Sequence, residues 1–327
     1  METQNTEPKT FIEAVPYFTN PDNCLNYLSK RRWPNGVECP TCGRKDVAFV
    51  PSRRVWQCKT RHPKSQFSIK TGTVLEDSPI GLDKWLPVIW QIATCKNGVS
   101  SWEIHRNLGV TQKTAWFMLH RVRLGMQDEA HGGKLGGEGT EVEIDETYIG
   151  GKMRNMHKEV KLRRQQHGRN TGGKAIVMGM LERNGTVRAN VIADRTNRTM
   201  QAIISDTVEP KTTVMSDEWG DNYRMDDIYS HEIVNHLETY VNGNVHTNGM
   251  ENFWSGLKRG IGGTYVSVEP FHLFRYVDEA AFRFNNRKPM NDAQRFSYLC
   301  RKIVGKRLTY AELTGKVGEK QADKEPF

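Results

Sequence analysis

Two aspartates stand where a carboxylate does chemistry more readily than it solvates a surface. Asp145 lies inside the alternating run Glu141–Ile149, and Asp217 closes the short apolar run that begins at Thr212. A carboxylate on a buried strand is costly unless it is paired or holds a cation. Two of them on adjacent strands repel each other, and Mg2+ or Mn2+ relieves that repulsion. Two such ions about 4 Å apart activate the attacking oxygen and stabilise the leaving oxygen of a phosphodiester. A third ligand has to come from a helix near the strand ends, and Glu251 in the run Asn248–Arg259 is the natural candidate. There Met250, Phe253, Trp254, Leu257 and Ile261 form a buried stripe, with Glu251, Ser255 and Lys258 on the neighbouring face. The same spacing admits a second reading, with Asn248 as N-cap and Glu251 at N3 in a near capping box. Period-two parity puts Glu143 on the face of Asp145 and Glu146 on the other.

A different chemistry is written near the amino end. Cys39 and Cys42 form a C-x2-C knuckle closed by Gly43, and Cys58 follows after fifteen intervening residues. That pattern is the sequence form of a zinc ribbon. The second knuckle, Cys58 to His62, offers Cys and His in place of two Cys, so Cys39, Cys42, Cys58 and His62 are expected to hold structural Zn2+. A disulfide is disfavoured, because nothing places the chain in an oxidising compartment.

These residues need elements to hold them. Residues 1–36 read as an N-terminal helical segment, 37–80 as the zinc ribbon and 81–130 as a helix-turn-helix-like DNA-binding unit. In the last, Ser100 with Glu103 makes a capping box, Gly109 makes the turn and Thr111 caps the following helix. Lys113, in the first turn of that helix, is placed to face bases or phosphates, and Arg121 and Arg123 to track a backbone. Three-helix units often bind nothing, so the preceding ribbon is what favours DNA. Residues 131–140 are glycine-rich and read as a linker. Residues 141–290 alternate strand and helix, which implies a mixed sheet flanked by helices, and 291–327 read as a C-terminal tail.

Charge is unevenly spread. The 327-residue chain has a net charge of +9, and eight bases stand against one acid between Lys152 and Lys174. That segment, with Arg163 and Arg164, is either a solvated charge run or an arm that grips phosphate. With 37% hydrophobic and 26% charged residues, the chain is expected to be soluble and globular. No membrane span, signal peptide or transit peptide is evident, so a cytoplasmic location is expected.

Taken together, these motifs resemble the transposases of the IS1595 group with an ISXO2-like catalytic domain. The resemblance covers roughly residues 20–290. It rests on the ribbon, on Phe67-Ser-Ile-Lys-Thr-Gly-Thr73 and the Trp85 helix behind it, and on Lys113-Thr-Ala-Trp116. It rests also on Glu143-Ile-Asp-Glu-Thr-Tyr-Ile-Gly-Gly151, Ser216-Asp-Glu218 and His246-Thr-Asn-Gly-Met-Glu-Asn-Phe-Trp254. Leu257-Lys-Arg-Gly260 and Phe282-Arg-Phe-Asn-Asn-Arg287 complete it. The resemblance implies an RNase H-like fold with a DDE-type site and DNA transposition through a metal-activated 3′ hydroxyl. It carries the first two acids onto Asp145 and Asp217. It leaves Glu251 first and Asn248 second for the third position, with Lys258 and Arg259 on DNA.

The expected function is metal-dependent cleavage and strand transfer at the inverted-repeat ends of an insertion sequence, in a bacterial cell and on nucleoid DNA. Two ends require at least a homodimer. The alternative is a non-catalytic, domesticated zinc-dependent DNA-binding protein; the intact set Asp145, Asp217 and Glu251 favours the enzyme. A nuclease of the same fold acting on another nucleic acid is disfavoured by the amino-terminal DNA reader.

Overall fold

The computed structural model describes residues 6–127, 133–150, 174–217, 228–234 and 246–316. The chain divides into two compact units, one of Met1–Gln127 with Asn286–Lys324, the other centred on Asp128–Asn285.

In the first unit, helices α1 (Phe11–Thr19) and α2 (Pro21–Arg32) precede a three-stranded antiparallel sheet of β1 (Val47–Val50), β2 (Val55–Cys58) and β3 (Gln66–Phe67). The Ser68–Ser78 stretch is a series of turns. Helix α3 (Leu82–Thr94) is buried nearly all round, with Trp85, Leu86, Val88, Ile89, Trp90 and Ile92 inside. A helix apolar on every side has to be the centre of its unit. Around it pack α1, α2, α5 (Gln112–Met126) and α9 (Asp292–Lys302). Helix α4 (Ser101–Leu108) has the expected Ser100–Glu103 capping box, and Gly109 at φ 62° turns the chain into α5, capped by Thr111.

Two expectations fail here, for one reason. The segment read as a tail is part of the core: Phe296 on α9 is buried against Trp90, with ring centroids 4.6 Å apart. Gly125 leaves room for it, since a Cβ there would lie 2.8 Å from Ile303 Cγ2. Arg121, expected on a DNA backbone, is covered by the same segment. Its Nε donates to Leu308 O at 3.2 Å, its Nη2 to Glu76 O at 2.7 Å, and only 6% of the residue is exposed. Arg123 is buried as well. Both are struts of the fold, and neither is placed to meet DNA.

The second unit is a five-stranded mixed sheet in the order β6-β5-β4-β7-β8. Strands β4 (Glu141–Ile149), β5 (Ala175–Glu182) and β6 (Val187–Ile192) pair antiparallel, β5 and β6 through the turn at Asn184 (φ 61°) and Gly185. Strands β7 (Thr213–Asp217) and β8 (Ser230–Val234) add in parallel beside β4. Helix α6 (Asn197–Thr207) lays Met200 and Ile204 on one face, against Ile144, Met178 and Met180. Helices α7 (Asn248–Arg259) and α8 (Leu273–Asn286) cover the other, with Met250, Phe253, Trp254, Leu257 and Val277 on Val177, Leu181 and Val187. The glycine-rich stretch also departs from its reading as a linker. Leu135 is buried in the α6 cluster, donates to Thr207 O at 2.7 Å and accepts from Glu209 N at 2.8 Å. Among the described residues no helix is long and apolar enough to cross a membrane.

Candidate active site and zinc centre

Strand β4 is central to the sheet, and its odd-numbered residues face α7. Glu143 pairs with Leu181, Asp145 with Gly179 and Thr147 with Val177 across β5. On the opposite side of β4, the parallel register sets Glu143 level with Met215 of β7. Asp145 and Asp217 each lie two residues further along their own strands. The parallel pairing of β4 with β7 thus puts the two expected acids on neighbouring strands.

Helix α7 lies across Asp145. Trp254 Nε1 donates to Asp145 Oδ2 at 2.9 Å, and Glu146 N donates to Oδ1 at 2.7 Å. The approach is possible because Gly179, opposite Asp145, has no side chain. A Cβ there would lie 2.2 Å from Met250 Cε and 2.7 Å from the Trp254 ring. Gly179→Ala is therefore expected to push α7 off the sheet and to cost about 1–3 kcal/mol by overpacking. A lower urea midpoint with unchanged slope checks it, and an unchanged midpoint refutes it.

The helix begins one residue earlier than the capping reading requires. Thr247 is the N-cap, Asn248 is N1, and Glu251 N bonds to Thr247 O at 3.0 Å as an ordinary helical residue. No capping box forms, so that alternative for Glu251 is gone. Glu251, Asn248, Lys258 and Arg259 are all exposed. At about 100° per residue, Glu251 lies about 60° round the helix from Trp254, Lys258 about 40° and Asn248 about 120°. Glu251 and Lys258 thus share one edge of the helix beside Trp254, and Asn248 lies further round. Arg259 Nη2 donates to Ser255 Oγ at 3.1 Å.

Glu146 points to the opposite face, as parity requires, where its buried carboxylate meets Arg195 at 3.3 Å. Glu143 was assigned no role from sequence. It is 2% exposed and accepts the Met250 N–H at 2.9 Å. Its contact with α7 and that of Trp254 with Asp145 join positions more than a hundred residues apart, which no local spacing announces.

In the first unit, the donor atoms of Cys39, Cys42, Cys58 and His62 all lie within 4.8 Å of one another. Cys42 Sγ and Cys58 Sγ are 3.7 Å apart, and Cys39 Sγ is 3.4 Å from His62 Nε2. A tetrahedron with Zn–S arms of about 2.3 Å has S–S edges of roughly 3.8 Å. The spacing matches that edge and is far too long for a disulfide. The first knuckle is closed by Gly43 N bonding to Cys39 O at 2.8 Å. His62 Nδ1 bonds to Pro63 O at 2.7 Å, which leaves Nε2 turned to the sulfurs in the manner of a zinc-bound imidazole. Burial alone would raise the Cys39 thiol, but the N–H groups of Thr41 and Cys42 outweigh it and bring its pKa below the usual value. Thiolate is the form that zinc takes. The donor set and its geometry fit structural Zn2+.

Of the expected DNA contacts, Lys113 is exposed on α5, with its ammonium 4.7 Å from the Tyr310 ring centroid. Arg163 and Arg164, with the rest of the basic arm up to residue 173, lie outside the described residues.

Comparison with known proteins agrees with this division. A model of the ISXO2-like transposase domain matches residues 134–285, and a model of the transposase zinc-ribbon domain matches residues 20–60. The first begins one residue before Leu135, the residue whose burial joins the glycine-rich stretch to the second unit. The other ends two residues short of His62, so the fourth zinc ligand rests on geometry. The chain is 28% identical over 259 residues to an uncharacterised protein in transposable element ISH50 of Halobacterium salinarum, covering 75% of this chain and 84% of that protein.

Proposed function

Because the chain belongs to the IS1595 group of transposases, we propose that it cuts DNA at the ends of its element and joins the freed ends to target DNA. One observation carries this: Asp145 and Asp217 lie on adjacent parallel strands, and Trp254 of the helix that bears Glu251 bonds Asp145. The strand order supports an RNase H-like fold, with three antiparallel strands, the first of them central, followed by two parallel ones and helices on both faces. The Gly109 turn between α4 and α5, behind a zinc ribbon, supports a helix-turn-helix-like reader of the terminal repeat.

In this reading Asp145, Asp217 and Glu251 hold Mg2+ or Mn2+, and their hard carboxylate oxygens suit those ions. The bound cation would lower the pKa of the attacking oxygen and offset charge on the leaving one. Trp254 and the Glu146 N–H orient the Asp145 carboxylate. Lys258, two turns from Glu251 on the same edge, grips a phosphate of the strand laid along α7, with Arg259 beside it. Lys113 and the basic segment with Arg163 and Arg164 add phosphate contacts. The oxygen of water attacks phosphorus and the P–O3′ bond breaks, leaving a 3′ hydroxyl. That hydroxyl attacks a target phosphodiester, whose own 3′ oxygen leaves with the proton. Joining two ends takes two such sites, hence at least a dimer.

The test is a duplex carrying the terminal inverted repeat, incubated with the full chain and Mg2+. Metal-dependent 3′-hydroxyl ends and joined products are expected. Binding with no strand breakage at any Mg2+ or Mn2+ concentration would leave a DNA-binding protein instead. In the same assay Glu251→Ala is expected to lose about 100-fold or more in rate, the worth of several kcal/mol of charge stabilisation. Asn248→Ala should stay near wild type; the reverse ranking moves the third ligand to Asn248.

A further inference from the structure

We propose that Glu143 is a positioning residue of this site: from the strand that carries Asp145 it caps the helix that carries Glu251, and so sets the spacing of the two carboxylates. The inference rests on the functional reading above.

The N-terminus of α7 needs a cap and does not supply one. Thr247 occupies the N-cap position, yet its side chain makes no capping bond. Glu143 Oε2 takes that place from the sheet, accepting Met250 N, the N3 donor, at 2.9 Å. Its negative charge also meets the positive end of the helix dipole. The fit is close: a Cβ on Gly249 would lie 2.7 Å from Oε2 and 2.5 Å from Leu181 Cδ2.

A carboxylate this buried must have its charge offset. Arg183 Nε lies 3.4 Å from Glu143 Oε1 and His246 Nδ1 3.5 Å from it, and Arg183 Nη1 also bonds Glu141 at 2.6 Å. Arg183 in turn donates to His246 O at 3.2 Å, holding the chain that leads into the helix. Glu143 is thus satisfied and buried, so it does not touch substrate.

Its effect runs through the helix. Met250 and Trp254 are one turn apart, and β4 holds the first through Glu143 and the second through Asp145. One attachment would let the helix roll or slide, whereas two attachments one turn apart fix both motions. Glu251 lies between them.

The experiment measures the Mg2+ concentration for half-maximal cleavage by the full chain carrying Glu143→Ala, Glu143→Asp or Glu143→Gln, alongside thermal unfolding. Loss of an outer-shell partner typically costs 10–100-fold in metal affinity, and a shift of that size, about 10-fold or more, is expected for Ala. Gln keeps an oxygen for the Met250 N–H and is expected to recover most of the shift. Asp keeps the charge but shortens the reach, so it should raise the Mg2+ requirement while folding normally, which covers the case in which Ala does not fold. A folded Ala or Asp variant with wild-type Mg2+ requirement overturns the proposal. Asp145→Asn, run in parallel, separates the two claims. If it is inactive while the Glu143 variants are unshifted, only the positioning role fails. If it is fully active, the active-site reading fails with it.

Discussion

Alanine at Asp145 or at Asp217 is expected to lower strand cleavage at an element end by at least ~100-fold while leaving end binding intact. The size follows from the charge stabilisation lost with a metal ligand, several kcal/mol at 1.36 kcal/mol per tenfold in rate. Binding should not fall, because removing a carboxylate beside a polyanion lessens repulsion. The two positions differ in what else they disturb. Asp145→Ala also removes the acceptor of Trp254 Nε1, and a buried donor left without a partner costs about 1–3 kcal/mol. Asp145→Asn separates these effects, since it keeps an oxygen for the indole and discards the charge. It should be as inactive as the alanine variant and measurably more stable. Cleavage at wild-type rate by Asp145→Asn would remove Asp145 from the chemistry.

What the sequence revealed of this site was whatever depends on period and spacing. Period two put Asp145 and Glu143 on one face of β4 and Glu146 on the other, and the strand pairing agrees. The knuckle spacing put four zinc donors in one place, and their atoms converge. The failures are those of tertiary covering. Arg121 looked like a surface base on a helix, but a base is exposed only if nothing packs over it. Here the chain near Leu308, read as a tail, supplies both the cover and the acceptor. Leu135 sat among glycines and had no periodic neighbours to mark it, yet one buried leucine anchors that strip to α6. Glu143 has its face fixed by parity but no role, because a cap is sought in the residues just before a helix, and this one comes from a strand 107 residues away in sequence. The parallel pairing of β4 with β7 is equally silent in local spacing, although it puts two distant aspartates on neighbouring strands.

The ribbon sets up the second large effect: removing zinc is expected to unfold it and abolish end binding. Strands of four, four and two residues bury little. Their core is the stack of Trp56 on Phe67, 5.9 Å apart, with Trp33 edge-on, and two of the buried groups are the ligands Cys39 and Cys58. A sheet so small cannot offset its own ordering entropy, whereas structural zinc contributes about 10–16 kcal/mol in zinc-finger peptides. A chelator should therefore release one zinc per chain and lower ellipticity and end affinity together, while the five-stranded sheet stays folded. Cys58→Ser should reproduce this without chelator. His62→Ala decides the fourth ligand, because three sulfurs alone leave a coordination position to water and weaken the hold. It should lose zinc at chelator concentrations that wild type withstands. Unchanged zinc content and chelator resistance in that variant would make His62 a bystander, and the 3.4 Å approach of its Nε2 to Cys39 Sγ a packing contact.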